Sequence, residues 1–235
     1  VLVANSLRLF SAKTDTMNPI RLIIFDFDGT LGDTRQTIVR TFQATMEALG
    51  MEVADEAACA ATIGLPLKEG FLQIFPHISE AQATACVQTY KEIFEKNRRI
   101  FVPVLFPHVK ETLAWLHAQG IQMTIASSRS SRSLHELVEE LDIKPYISYI
   151  LGADNVSKAK PDPAPVLQTL QALNMEASQT LVIGDMPVDI AMGKRAGTRA
   201  FGVSYGNATA EELQEAGADC IMGDLAELRQ RMADV

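Results

Sequence analysis

Three cysteines in 235 residues, Cys59, Cys86 and Cys220, are odd in number and far apart, and no CxxC occurs. That excludes a disulfide framework and a cysteine metal knuckle, and the three read as free thiols in a reducing, cytoplasmic setting. The four histidines, His77, His108, His117 and His135, make no metal-ligand spacing with each other or with cysteine, which argues against a zinc site. Basic residues are outnumbered, 21 against 29 acidic ones, and no basic run stands out, so a nucleic-acid surface is not expected. No window approaches the roughly 20 apolar residues of a membrane helix. Internal repeats and low-complexity tracts are also missing. The stretch before Met17 lacks the apolar centre and cleavage site of a signal peptide and is expected to be a non-native leader, residues 1–17.

What is present is an ordinary globular composition, 47% apolar and 21% charged, long enough for one large domain or for one carrying a smaller insert. Strand-like runs "IRLIIFDF", "IQMTIASS", "ISYILGA", "TLVIGD", "RAFGVSYG" and "ADCIMGD" are separated mostly by helical stretches such as "HVKETLAWLHAQG" and "DPAPVLQTLQALN". Strands that are apolar throughout, alternating with helices, imply an α/β fold: a doubly wound parallel sheet, Rossmann-like, covered on both faces. One connection is too long for a crossover, which needs only about a dozen residues. It carries helical periodicity and no clear strand, so residues 33–103 are expected to form an inserted α-helical cap, with the core in 18–32 and 104–235. Two short strands where the chain leaves and re-enters the core would make a hinge, as a lid requires.

The chemistry gathers at strand ends. Asp26 and Asp28 follow the first strand in "FDFDGT", and side chains two apart on an extended chain share a face, roughly 6 to 7 Å apart. Two such carboxylates call for a cation between them or a proton on one, unless they merely open an Asp-Gly turn. Asp185 and Asp189 repeat the pattern in "IGDMPVD", where helix capping would explain either alone. Four carboxylates brought to one sheet edge exceed what capping explains. A hard divalent ion with oxygen ligands explains them, and Mg²⁺ is expected. Lys160, in the loop "KAKPDP", is either a solvated lysine or the charge that compensates the acids and holds an anion. Ser127 and Ser128, ending the second strand ahead of a helix, form either a plain serine cap or a cradle for phosphate.

"DFDGTLGDT", "IASS", "KPDP" and "GDMPVD", in this order around a helical insert, resemble the haloacid dehalogenase superfamily of phosphohydrolases. "IGLPLKEGF" and "ILGADNVSKAKPDPAPVLQTL" are similar to its phosphoglycolate phosphatase-like branch. The resemblance runs from Ile20 to the C-terminus. It implies that Asp26 is the nucleophile, Asp28 the general acid and base, Ser127 and Lys160 the phosphoryl-binding pair, and Asp26, Asp28, Asp185 and Asp189 the Mg²⁺ site, with Asp28 contributing its backbone carbonyl and Asp189 acting through water or as an orienter. Asp28, held protonated by its neighbour's charge, would protonate the leaving alkoxide. The implied partner is a small phosphorylated metabolite, 2-phosphoglycolate first, with pyrophosphate and sugar phosphates open and the protein a monomer or homodimer.

Departures narrow the reading further. Dehalogenases and phosphonate-cleaving relatives lack the second Asp, so Asp28 argues against both chemistries. A mutase of the β-phosphoglucomutase type carries a histidine where this chain has Ile38. Pro107-His108 stands where relatives have Pro-Gly. Gly64, Leu65 and Lys68 are placed in a cap loop facing the cleft, where Lys68 meets a substrate carboxylate or stays solvated; Arg98 and Arg99, near the hinge, carry the same ambiguity. A catalytically silent binding protein on the same fold is the rival from another class.

Overall fold

A computed structural model describes residues 19–232; the expected leader lies outside them. The chain begins with β1 (Leu22–Phe25) and β2 (Gly32–Asp33), passes through α1 (Arg35–Ala48), α2 (Glu56–Ala60), α3 (Leu67–Ile74) and α4 (Glu80–Ile100), and returns in β3 (Val104–Leu105). Then follow α5 (Val109–Ala118), β4 (Gln122–Ala126), α6 (Ser131–Glu140), β5 (Tyr149–Leu151), α7 (Ala164–Leu173), β6 (Thr180–Gly184), α8 (Pro187–Arg195), β7 (Arg199–Val203), α9 (Ala210–Glu215), β8 (Cys220–Met222) and α10 (Leu228–Arg231).

Six strands form one sheet in the order β5-β4-β1-β6-β7-β8, and every pairing is parallel. They correspond to the six apolar runs in the sequence. Alternation in β1 sends Ile23 and Phe25 to one face, packed with α5, α6 and α10, and Leu22 and Ile24 to the other, packed with α7 and α8. All four side chains are fully buried, each worth about 1.5–3 kcal/mol of transfer free energy. The chain winds from β1 out to β5 and then returns to β6 on the opposite side. The strand order therefore switches beside β1, where ligands of such sheets bind.

The long connection is helical. Among the described residues its four helices enclose an apolar cluster of their own, in which Phe42 meets Phe71 and Tyr90 at ring-centroid distances of 4.6 and 5.0 Å. Ser79 starts α4 with a capping box: its hydroxyl accepts from the Gln82 amide, while Gln82 accepts from the Ser79 amide at 2.9 Å. The exit and return strands β2 and β3 pair antiparallel, Gly32 opposite Leu105 and Asp33 opposite Val104. A two-stranded ribbon thus joins the helices to the sheet. Past it, His108 takes a left-handed φ of 59° at the N-cap of α5, and its Nδ1 lies 2.6 Å from an Asp224 oxygen.

Candidate active site

Each acid and Lys160 sits just beyond a strand's carboxyl end. Asp26 follows β1, Asp185 follows β6, and Pro187 in the first turn of α8 sets Asp189 at its third helical position. Asp26, Asp185 and Asp189 each offer an oxygen within 4.8 Å of the others, and all three are buried. The Lys160 ammonium, arriving from the loop before α7, donates to Asp26 and to Asp189, both at 2.6 Å. Asp185 is held by the Asn207 amide and side chain, both at 2.8 Å, and by the Thr30 hydroxyl. Such proximity demands glycine at Gly29, where φ is +89° and a Cβ would come within 2.1 Å of Asp185 Oδ2.

Electrostatics follow from this crowding. Burial, reinforced by Asp189, Asp185 and Asp28 and opposed by Lys160, pushes the Asp26 carboxyl well above the usual range. Burial and then Asp189 push Asp185 up to about 7, against the pull of Asn207 and Thr30. Lys160 behaves oppositely. Burial works against its charge, yet Asp189 and Asp26 hold its ammonium above the ordinary lysine value. Three carboxylates facing one ammonium leave two negative charges in excess, which is the charge a divalent cation balances.

Asp28 stands apart from this trio. Its carboxyl receives Arg129 bidentately, Nε at 3.1 Å and Nη2 at 2.6 Å, and accepts from the Thr34 hydroxyl at 2.6 Å. Its side chain is thus committed to Arg129 and Thr34, outside the three-acid cluster. Nothing in the one-dimensional pattern marks Arg129. Asking which cation balances Asp28 would have pointed to the basic residue next to Ser127 and Ser128. Thr30, Thr34 and Asn207 are equally silent in the sequence, as short polar residues in turns.

Ser127 is buried beside the acids, its hydroxyl accepting from the Arg129 amide at 3.3 Å. Ser128 reaches across to the cap, donating to the Gly64 carbonyl at 2.6 Å. Above the acids lies a cleft of about 760 Å³ between core and cap, lined by Asp26, Asp28, Ser127, Ser128, Gly64 and Leu65 among others. Ile38 is in its wall, an aliphatic group with no proton to exchange. Of the two alternatives for Lys68, the structure favours the solvated one over contact with a substrate. Pro66 is the N-cap of α3, which starts at Leu67, so Lys68 is helical rather than in a loop, half-exposed, paired with Glu80 and outside the cleft. Arg98 also turns elsewhere, its guanidinium joining α4 to Glu136 and Glu140 of α6.

The sequence profile described as haloacid dehalogenase-like hydrolase matches residues 23–203. The chain belongs to that family. Among curated relatives it is 36% identical to "Probable phosphatase IndB" of Dickeya dadantii, over 88% of this chain and 91% of that one. A pyrophosphatase PpaX of Oceanobacillus iheyensis is 31% identical, over 89% and 95% respectively. A phosphoglycolate phosphatase of Photorhabdus laumondii is 30% identical, over 89% and 91%. Among solved structures, a haloacid dehalogenase-like hydrolase from Bacteroides fragilis superposes with a TM-score of 0.83 at 29% identity, covering 89% of this chain and 99% of that one.

Proposed function

We propose that this member of the family is a Mg²⁺-dependent phosphatase that cleaves phosphate monoesters through a phosphorylated Asp26. The observation that carries the reading is the convergence of Asp26, Asp185, Asp189 and Lys160 at a strand-order switch, beneath a cleft. Buried carboxylate oxygens with two uncompensated negative charges suit a hard divalent ion, so Asp26, Asp185 and Asp189, with the Asp28 carbonyl, would hold Mg²⁺. When bound, the ion would neutralise the charge of the phosphoryl group.

The side chains then divide the work. A carboxylate oxygen of Asp26 forms a bond to phosphorus as the ester P–O bond breaks. Asp28, held at the cleft wall in an ion pair with Arg129 rather than protonated by its neighbour's charge, would first take up a proton from solvent, give it to the departing alkoxide and later take one from the water that cleaves the acyl phosphate. Lys160 and the Ser127 hydroxyl attract the phosphoryl oxygens, and Lys160 also orients Asp26 for attack.

Phosphoglycolate is the first substrate to assay, because several relatives carry that name. With Lys68 outside the cleft, recognition of its carboxylate would fall to Lys91 or Arg132, which line it. Release of inorganic phosphate from p-nitrophenyl phosphate, dependent on Mg²⁺ and abolished by Asp26→Asn, is the expected result. No release with Mg²⁺ present would leave the silent binding protein as the better description.

A further inference from the structure

The cleft is far larger than a two-carbon phosphate ester needs. Its volume of about 760 Å³ lies in the range of roughly 300 to 1,000 Å³ that buries a drug-sized ligand. The cap side of the wall is mostly apolar and aromatic, built from Phe42, Ile63, Leu65, Leu67, Tyr90 and Phe94, with Thr62, Lys91 and Glu95 its polar members. Core side chains supply the acids, the serines and Arg129, so most of the polar lining lies on the core side and most of the apolar lining on the cap side. On the phosphatase reading, phosphate would need only the core side. Tyr90 adds a second observation: its ring is buried and packed between Phe42 and Phe94, yet its hydroxyl makes no hydrogen bond among the described residues. The hydroxyl is thus free to face the cleft that Tyr90 lines and to meet a polar group of a ligand there.

Resting on the phosphatase reading, we propose that the leaving alcohol carries a ring-sized, partly apolar body which lies against this cap wall, so that the enzyme discriminates against short esters such as phosphoglycolate. Burying the ring against aliphatic and aromatic side chains favours the larger substrate by its contact area, while the reacting centre is the same for both.

A matched pair tests this: ethyl phosphate and 2-phenylethyl phosphate, both esters of primary alcohols, assayed with Mg²⁺ beside phosphoglycolate. The expected kcat/KM for 2-phenylethyl phosphate exceeds that of either short ester by at least tenfold. Leu65→Trp, which fills the wall without emptying the core, should cut that preference at least fivefold. Equal kcat/KM values, or a preference unmoved by Leu65→Trp, would overturn the inference. Calorimetry with Asp26→Asn separates the two claims, because binding is read without turnover. Tighter binding of the phenylethyl ester with no hydrolysis of any ester by the unaltered protein would sink the phosphatase reading and keep the cleft assignment, whereas hydrolysis with equal binding would do the reverse.

Discussion

At the residue scale, the site depends on paired charges. Arg129 and Asp28 are 9% and 11% exposed at their side chains, and the guanidinium also lies 4.9 Å from the Phe94 ring centroid of the cap. Arg129→Met would leave a buried carboxylate without its cation, a change that costs about 3 kcal/mol or more in comparable pairs. It would also free Asp28 from its working orientation, and loss of an orienting partner typically lowers activity about 10- to 100-fold. Urea unfolding and kcat on p-nitrophenyl phosphate check both effects. Arg129→Lys should fall between, since an ammonium keeps the charge but not the two-pronged geometry. Gly29→Ala is a sharper case. The methyl would overlap the Asp185 carboxylate in a left-handed backbone, so phosphatase activity and Mg²⁺ binding should vanish together; a fully active Gly29→Ala protein would show that Asp185 does not need its present position.

At the level of elements, legibility in the sequence tracked burial and length. The six strands were readable because their residues are apolar on both faces, and α1 and α4 because 14 and 21 residues carry several helical turns. Short α2 and α3, with 5 and 8 residues, leave too few turns for periodicity to show. That is why Lys68 reads as a loop residue in one dimension and is a helical one in three. The acids were legible as motifs at strand ends, whereas Arg129 and Asn207 act only through contacts 101 and 22 residues away. Arg98 shows the same limit, as it ties the cap helix α4 to α6 of the core. Partly exposed pairs of this kind contribute about 0.2–1 kcal/mol. Arg98→Ala should therefore leave the melting temperature within a few degrees while amide exchange at the carboxyl end of α4 quickens, because the loss falls on cap docking rather than on either core. Unchanged exchange there would mean that the Ser128–Gly64 bond and the cleft contacts alone hold the cap.

For the whole molecule, three buried acids around one lysine couple stability to protons and, on the proposed reading, to Mg²⁺. In the metal-free protein Asp185 has its pKa raised from 3.8 to about 7, and that of Asp26 is raised as well. Between those values the folded chain binds more protons than the unfolded one. The stability that these two groups contribute is therefore fully present below 3.8 and is lost as pH rises toward 7. On the proposed reading Mg²⁺ would bind the deprotonated acids of the folded state and so stabilise it by about 2.7 kcal/mol at a hundredfold excess over Kd, roughly 5–11 °C in a chain of this size. Proton and metal compete for the same oxygens, so the gain in melting temperature from Mg²⁺ should be small near pH 4.5 and grow steadily toward pH 7.5. Thermal scans at several pH values, with Mg²⁺ and with a chelator, measure it directly. Asp185→Asn, which removes one carboxylate from the cluster, should raise the melting temperature of the metal-free protein at pH 7.5 and abolish most of the response to Mg²⁺; a Mg²⁺ gain of constant size across the pH range would show that the ion binds somewhere other than among these acids.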